Sequence, residues 1–168
     1  MQERAALRER QITELLCERG ITFRVHEHVV SRTVADAEAL LPFPLDQLLK
    51  TVVFRVKGGP WVLSVCRGQD RVDYRKVAAA CGVKRDQIVR PAPDEVEARL
   101  GCEVGGISPI PPDDGVWPIV DATAAATLGT VFCGIGRNDR TLEIGIADLI
   151  VAADARVLAL VQERADGA

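Results

Sequence analysis

At 168 residues, 48% hydrophobic and 27% charged, the chain has an ordinary globular balance and enough length to bury a core as a single domain, 1–168. No run of eighteen apolar residues occurs, which excludes a membrane-spanning helix, and the charged stretch Met1 to Arg10 lacks the apolar centre of a secretory signal, so a cytoplasmic protein is expected. A net charge of −3 excludes a uniformly basic surface and confines any nucleic-acid contact to a local patch.

In chain order, residues 3–19 read as an amphipathic helix, with Leu7, Ile12, Leu15 and Leu16 at helical spacing and Gly20 as its stop. Ile21 to His26 alternates as a strand does, which would put His26 and His28 on one face. Thr33-Val-Ala-Asp36 has the form of a helix N-cap with an acid three residues on, and the helix should end near Leu41, before Pro42 and Pro44. Leu48 or Lys50 to Val56, the pair Gly58-Gly59, and Trp61 to Val65 predict a β-hairpin with Lys50 at its start. Asp73 should cap a helix through Ala80, stopped by Gly82; Pro91 and Pro93 introduce another over Asp94 to Leu100, with Gly101 as its left-handed terminator. Val116 to Val120, Thr130 to Ile135 and Thr141 to Ile146 read as strands, with the small-residue run Ala122 to Ala126 after the first and a Gly136-to-Arg140 turn between the last two. A helix over Ala147 to Ala153, a strand over Arg156 to Val161 and a frayed polar tail from Gln162 to Ala168 complete the chain. Short strands interspersed with short helices predict an α+β fold: a mixed, largely antiparallel sheet curled into a barrel-like core with short flanking helices.

Cysteines 17, 66, 81, 102 and 133 are odd in number and scattered, with no Cys-x-x-Cys pair, a pattern that fits a reducing compartment better than a disulfide or zinc framework. From Arg67 to Arg90, seven basic residues face three acidic ones, which makes Arg71, Arg75, Lys76, Lys84 and Arg85 the candidate nucleic-acid contacts; a solvated helix face is the alternative.

The stretch Gly101-Cys-Glu-Val-Gly-Gly-Ile-Ser-Pro109 is neither a helix nor a regular strand. Gly105 and Gly106 let the backbone pass close to another group, and Pro109 biases Ser108 towards an extended conformation. Such a segment can present backbone N–H groups to a polar ligand.

Taken with Leu49-Lys50-Thr51-Val52-Val53-Phe54 and Gly134-x-Gly136-Arg137, this stretch resembles the YbaK/prolyl-tRNA-synthetase-associated editing domain family, from about Ile21 to Val161. The resemblance implies a barrel-like fold and hydrolysis, in trans, of the ester of a mischarged tRNA. The substrate would be tRNA-Pro carrying a small non-cognate amino acid such as cysteine or alanine. The aminoacylated acceptor end of tRNA is the implied partner, with a prolyl-tRNA synthetase as a further one, and no cofactor or metal is called for. Lys50 is the implied catalytic residue, meeting the phosphate or ribose of the terminal adenosine. The N–H groups of residues 105–108 would polarise the ester carbonyl. Thr51, Gly105, Gly106, Ile107, Ser108, Pro109, Val30, Phe54, Phe132, Gly134 and Gly136 are the implied substrate-binding set, with Val29, Val53, Cys133 and Ile135 as further pocket walls.

No nucleophile elbow or triad accompanies this set: Ser108 lacks the Gly-x-Ser-x-Gly context and an assignable base. Attack would come from water or from the substrate's own hydroxyl or thiol. Alanyl-specific relatives tend to carry Lys-Asn and a histidine in the late glycine block; here Lys50-Thr51 and Gly134-Ile-Gly-Arg-Asn138 stand instead, leaving cysteine or another small side chain open. Two readings compete with editing: a non-catalytic aminoacyl-tRNA or nucleotide-binding module docking on a synthetase, and a metal hydrolase built on His26 and His28.

Overall fold

The computed structural model describes residues 1–164, so the end of the polar tail, 165–168, lies outside the described residues. The expected α+β class is present, with strands in two sheets. In the first, β1 (Phe23–Glu27) and β6 (Thr130–Cys133) flank β7 (Arg140–Gly145), all antiparallel. In the second the order is β4-β2-β3-β5-β8, from β4 (Ile88–Val89), β2 (Leu49–Val56), β3 (Trp61–Arg67), β5 (Val116–Asp121) and β8 (Arg156–Leu158). β2 pairs antiparallel with β3 and β4, whereas β3–β5 and β5–β8 are parallel. The curl is open: Leu48, just before β2, bridges to Phe132 of β6 and brings the sheets edge to edge without closing a barrel.

A parallel pair needs a long crossover. The one from β3 to β5 carries α3 (Tyr74–Ala80), β4, α4 (Pro93–Leu100) and the glycine stretch, which is how that stretch returns to the sheets. Asp73 caps α3 and Gly101 ends α4 at φ +68°, as expected. The Thr33–Asp36 capping box opens α2 (Val34–Leu40). The small-residue run is a helix, α5 (Ala122–Thr127), because the Asp121 carboxylate accepts from the N–H groups of Thr123 and Ala124. α6 (Ile146–Ala153) follows β7 directly.

The first helix, α1 (Gln2–Glu18), departs from the expected face. Ala5, Ile12 and Leu16 are buried, Leu7 is exposed, and Arg8 turns inward instead. Ile12 and Leu16 join Leu142, Ile144 and Leu149 in the core beneath the first sheet. The alternation of β2 separates two further clusters, with Val53 under α4 and Phe54 and Val56 under α3. The start of the tail, expected to be frayed, is held in place: Gln162 N–H donates to Arg71 O at 2.8 Å, and Arg164 pairs with Asp70 at 2.8 Å.

Candidate active site

The β2–β3 hairpin sets the position of Lys50. Its register places Leu49 opposite Arg67, so the chain leaving β3 passes beside the start of β2. The Lys50 ammonium donates to the carbonyls of Gly68, at 3.2 Å, and Asp70. That turn is itself held: the buried Asp70 carboxylate accepts from Arg67 Nε at 3.0 Å and from Arg164 at 2.8 Å. Burial would push the Asp70 carboxyl up, but the two arginines outweigh it and hold it below the usual carboxylate value. An ammonium has three donors, so Lys50 keeps one N–H beyond its two carbonyl contacts.

The glycine stretch packs back to back with the turn after β6. Glu103 N–H donates to Gly136 O at 2.8 Å, and Gly136 N–H to Gly106 O at 2.7 Å. The Glu103 carboxylate takes the N–H of Asn138. A Cβ on Gly106 would lie 2.3 Å from the Arg137 carbonyl, and one on Gly134 would lie 2.3 Å from Ile107 O, so only glycine permits this approach. From beneath, the buried Arg8 of α1 donates to Ile110 O at 2.6 Å.

These elements enclose a cleft of about 320 Å³, with α2 and the segments 48–53, 90–96, 104–107, 132–134 and 140–141 as its walls. Lys50, Thr51, Gly105, Ile107, Phe132 and Gly134 of the expected set line it, as do Val53 and Cys133. The others lie elsewhere. Gly106 and Gly136 sit behind the lining in the back-to-back contact. Ser108 is 2% exposed and its Oγ accepts from Ile110 N–H, which makes it a turn former, and Pro109 is buried beside it. Phe54 and Ile135 are fully buried in separate cores, because strand alternation turns Phe54 away from Val53. Val29 and Val30 are exposed outside the lining.

Not all the N–H groups of 105–108 are available. Gly106 N–H donates to Glu103 O at 2.9 Å. Those of Gly105 and Ile107, both cleft residues, have no acceptor among the described residues.

Several lining residues carry no motif and were not among the expected site residues: Arg32, Arg140 and Thr141, together with Arg90, counted only as part of the basic stretch, and His28, for which a structural or substrate-facing role was the default and a metal site the alternative. Phe43 stacks on Phe132 with centroids 4.5 Å apart and anchors the segment between α2 and β2. His26 Nε2 lies 2.6 Å from Glu143, and His28 contacts Val29 O and Thr141 Oγ1. Among the described residues no group of three or more His, Cys, Asp or Glu could hold a metal. Period-two alternation across the paired strands would have gathered His26, His28, Thr141 and Glu143 on one face, given the register.

Of the expected nucleic-acid contacts, Arg71, Arg75, Lys84 and Arg85 are exposed. Lys76 is committed to Val161 O at 2.7 Å, and the Arg85 guanidinium lies over the Tyr74 ring. None of the five lines the cleft, whereas Arg90, from the same basic stretch, does.

A family model described as an aminoacyl-tRNA editing domain matches residues 28–152. Among solved structures, hypothetical protein APE2540 superposes with a TM-score of 0.79 at 26% identity, over 90% of this chain and 99% of that one. A protein proposed to be a trans-editing enzyme for prolyl tRNA synthetase superposes with a TM-score of 0.77 at 22% identity, over 93% of this chain and 98% of its own, a likeness of fold alone. The uncharacterized protein YwhH of Bacillus subtilis is 30% identical over 79 residues, 47% of this chain and 48% of that protein, so the chain spans about half the length of the curated relative it matches.

Proposed function

Because the chain belongs to the aminoacyl-tRNA editing domain family, we propose that it is a cytoplasmic, single-domain deacylase that hydrolyses, in trans, the ester joining a small amino acid to the terminal ribose of the wrong tRNA. The observation that carries this reading is the make-up of the cleft. Lys50, Arg32 and Arg90 bring positive charge to a pocket whose walls include Val53, Ile107 and Phe132, while Arg140, also in the lining, is paired with Glu27 and Asp139. That combination suits a ligand with a phosphate at one end and a small apolar group at the other. The volume, about 320 Å³, lies at the low end of the ~300–1,000 Å³ usual for small-molecule sites.

In this reading the free N–H groups of Gly105 and Ile107 stabilise the charge that develops on the ester oxygen, and Lys50 meets the phosphate or ribose of the terminal nucleoside. Selection among amino acids is by size, where one methylene is worth about 1–3 kcal/mol in an apolar pocket. The fold shared with a protein proposed to edit for prolyl tRNA synthetase favours tRNA-Pro, mischarged with cysteine or alanine, as substrate, and that synthetase as partner. The test is single-turnover deacylation of tRNA-Pro charged in turn with alanine, cysteine, serine and proline, by wild type and Lys50→Ala. Hydrolysis of one mischarged species, sparing of proline, and a loss of about 100-fold or more in Lys50→Ala are expected. Tight binding of every ester without hydrolysis would replace editing with a carrier role.

A further inference from the structure

The cleft contains a hydroxyl held by a base. His28 Nδ1 lies 2.6 Å from the carbonyl oxygen of Val29, and Nε2 lies 2.8 Å from Thr141 Oγ1. A carbonyl only accepts, so Nδ1 carries the ring proton; Nε2 is then the acceptor and the Thr141 hydroxyl the donor. The backbone N–H of His28 donates to Asp139 O at 3.1 Å, which holds the main chain here, and Phe43 meets the imidazole edge-on. Both residues line the cleft, although Thr141 is only 7% exposed.

Resting on the editing reading, we propose that His28 is the proton acceptor for the hydrolytic step and that the Thr141 hydroxyl is the relay through which it acts. No other lining side chain fits the role. Lys50, Arg32, Arg90 and Arg140 are cations without an acceptor, and no carboxylate lines the cleft. Burial pushes the Cys133 thiol up to about 12. His26, the neighbouring imidazole, is engaged by Glu143 and lies outside the lining. In the attack, a water oxygen bonds to the ester carbonyl carbon and gives its proton to Thr141 Oγ1, while the Thr141 proton passes to His28 Nε2. On collapse the bond from carbonyl carbon to ribose oxygen breaks, and the same proton path runs in reverse to the departing ribose oxygen. Free amino acid and uncharged tRNA leave, with His28 again neutral.

The experiment measures single-turnover rates over a range of protein concentrations with the tRNA-Pro esters of alanine, cysteine and serine. Wild type, His28→Ala, His28→Gln, Thr141→Val and Thr141→Ser are compared, with folding checked by circular dichroism. In His28→Ala and His28→Gln the saturating rate should fall by about 10²–10⁴-fold, the usual contribution of general base catalysis, with the half-saturating concentration unchanged within about twofold. Added imidazole should restore part of the His28→Ala rate. Thr141→Val should lose a similar factor, and Thr141→Ser, which returns the hydroxyl, should recover most of it. A folded His28→Gln within about threefold of wild type, or a loss confined to the half-saturating concentration, overturns the inference while leaving editing intact. Wild-type inactivity across the panel overturns the editing reading and the inference with it.

Discussion

Replacing Gly106 with alanine puts a methyl group where the backbone of the 134–138 turn already lies. The added Cβ would stand 2.3 Å from the carbonyl carbon and oxygen of Arg137 and 2.8 Å from Asn138 N. Carbon atoms pack at about 3.5–4.0 Å, so the two segments must part by roughly 1 Å. Parting strains the bonds that join them, Gly136 N–H to Gly106 O at 2.7 Å and Glu103 N–H to Gly136 O at 2.8 Å. Overpacking of this kind costs about 1–3 kcal/mol, and loss of one hydrogen bond adds about 1 kcal/mol, so a destabilisation of about 2–4 kcal/mol is expected. At about 2–4 °C per kcal/mol for a chain of this size, Tm should fall by about 5–15 °C in thermal denaturation followed by circular dichroism. Two glycines serve as internal standards. Gly129→Ala meets nothing within 4 Å and should be nearly silent. Gly101→Ala also meets nothing but sits at φ +68°, and should cost about 1–2 kcal/mol through backbone strain alone. A Gly106→Ala protein as stable as Gly129→Ala would refute the close approach and, with it, the account of why this loop is glycine-rich.

The Asp70 carboxyl is lowered on folding, so its contribution to stability is full above the unfolded carboxylate value and is lost as pH falls through the folded one. Asp70→Asn should therefore destabilise by about 1–2 kcal/mol in urea unfolding at pH 7, a discounted figure because Arg164 is mostly exposed, and the gap from wild type should close below about pH 4; a gap that persists in acid contradicts the ion pair. Cys17 is exposed, whereas burial pushes the thiols of Cys66 and Cys133 up to about 12. Mass spectrometry after brief alkylation of the native protein should find Cys17 modified first and Cys66 and Cys133 only after denaturation. If the basic stretch meets tRNA, Arg75→Glu and Lys84→Glu should weaken binding and lower the salt dependence by about one phosphate contact each. Lys76→Ala, which removes a contact to Val161 O, should instead act mainly on stability.

Much of this protein was legible without coordinates because its signals are local. The Thr33 and Asp73 caps, the left-handed Gly101 and the hairpin after Lys50 each depend on a few consecutive residues, and each appears where the spacing predicted it. Lys50, Thr51 and the glycine stretch were found as motifs, and the helix over 122–127 was missed because alanines carry no periodic signal. What tertiary structure decided is which side of each motif faces the cleft. Ser108 and Gly106 turned out to brace the loop, Phe54 fell on the far face of β2, and Lys50 arrived already engaged by two carbonyls. The pairing of His28 with Thr141 depended on tertiary structure most of all, since 113 residues separate them. Caps and turns are settled by interactions within a few residues, whereas a site assembled across two sheets depends on strand register, and register is set by the burial of whole faces.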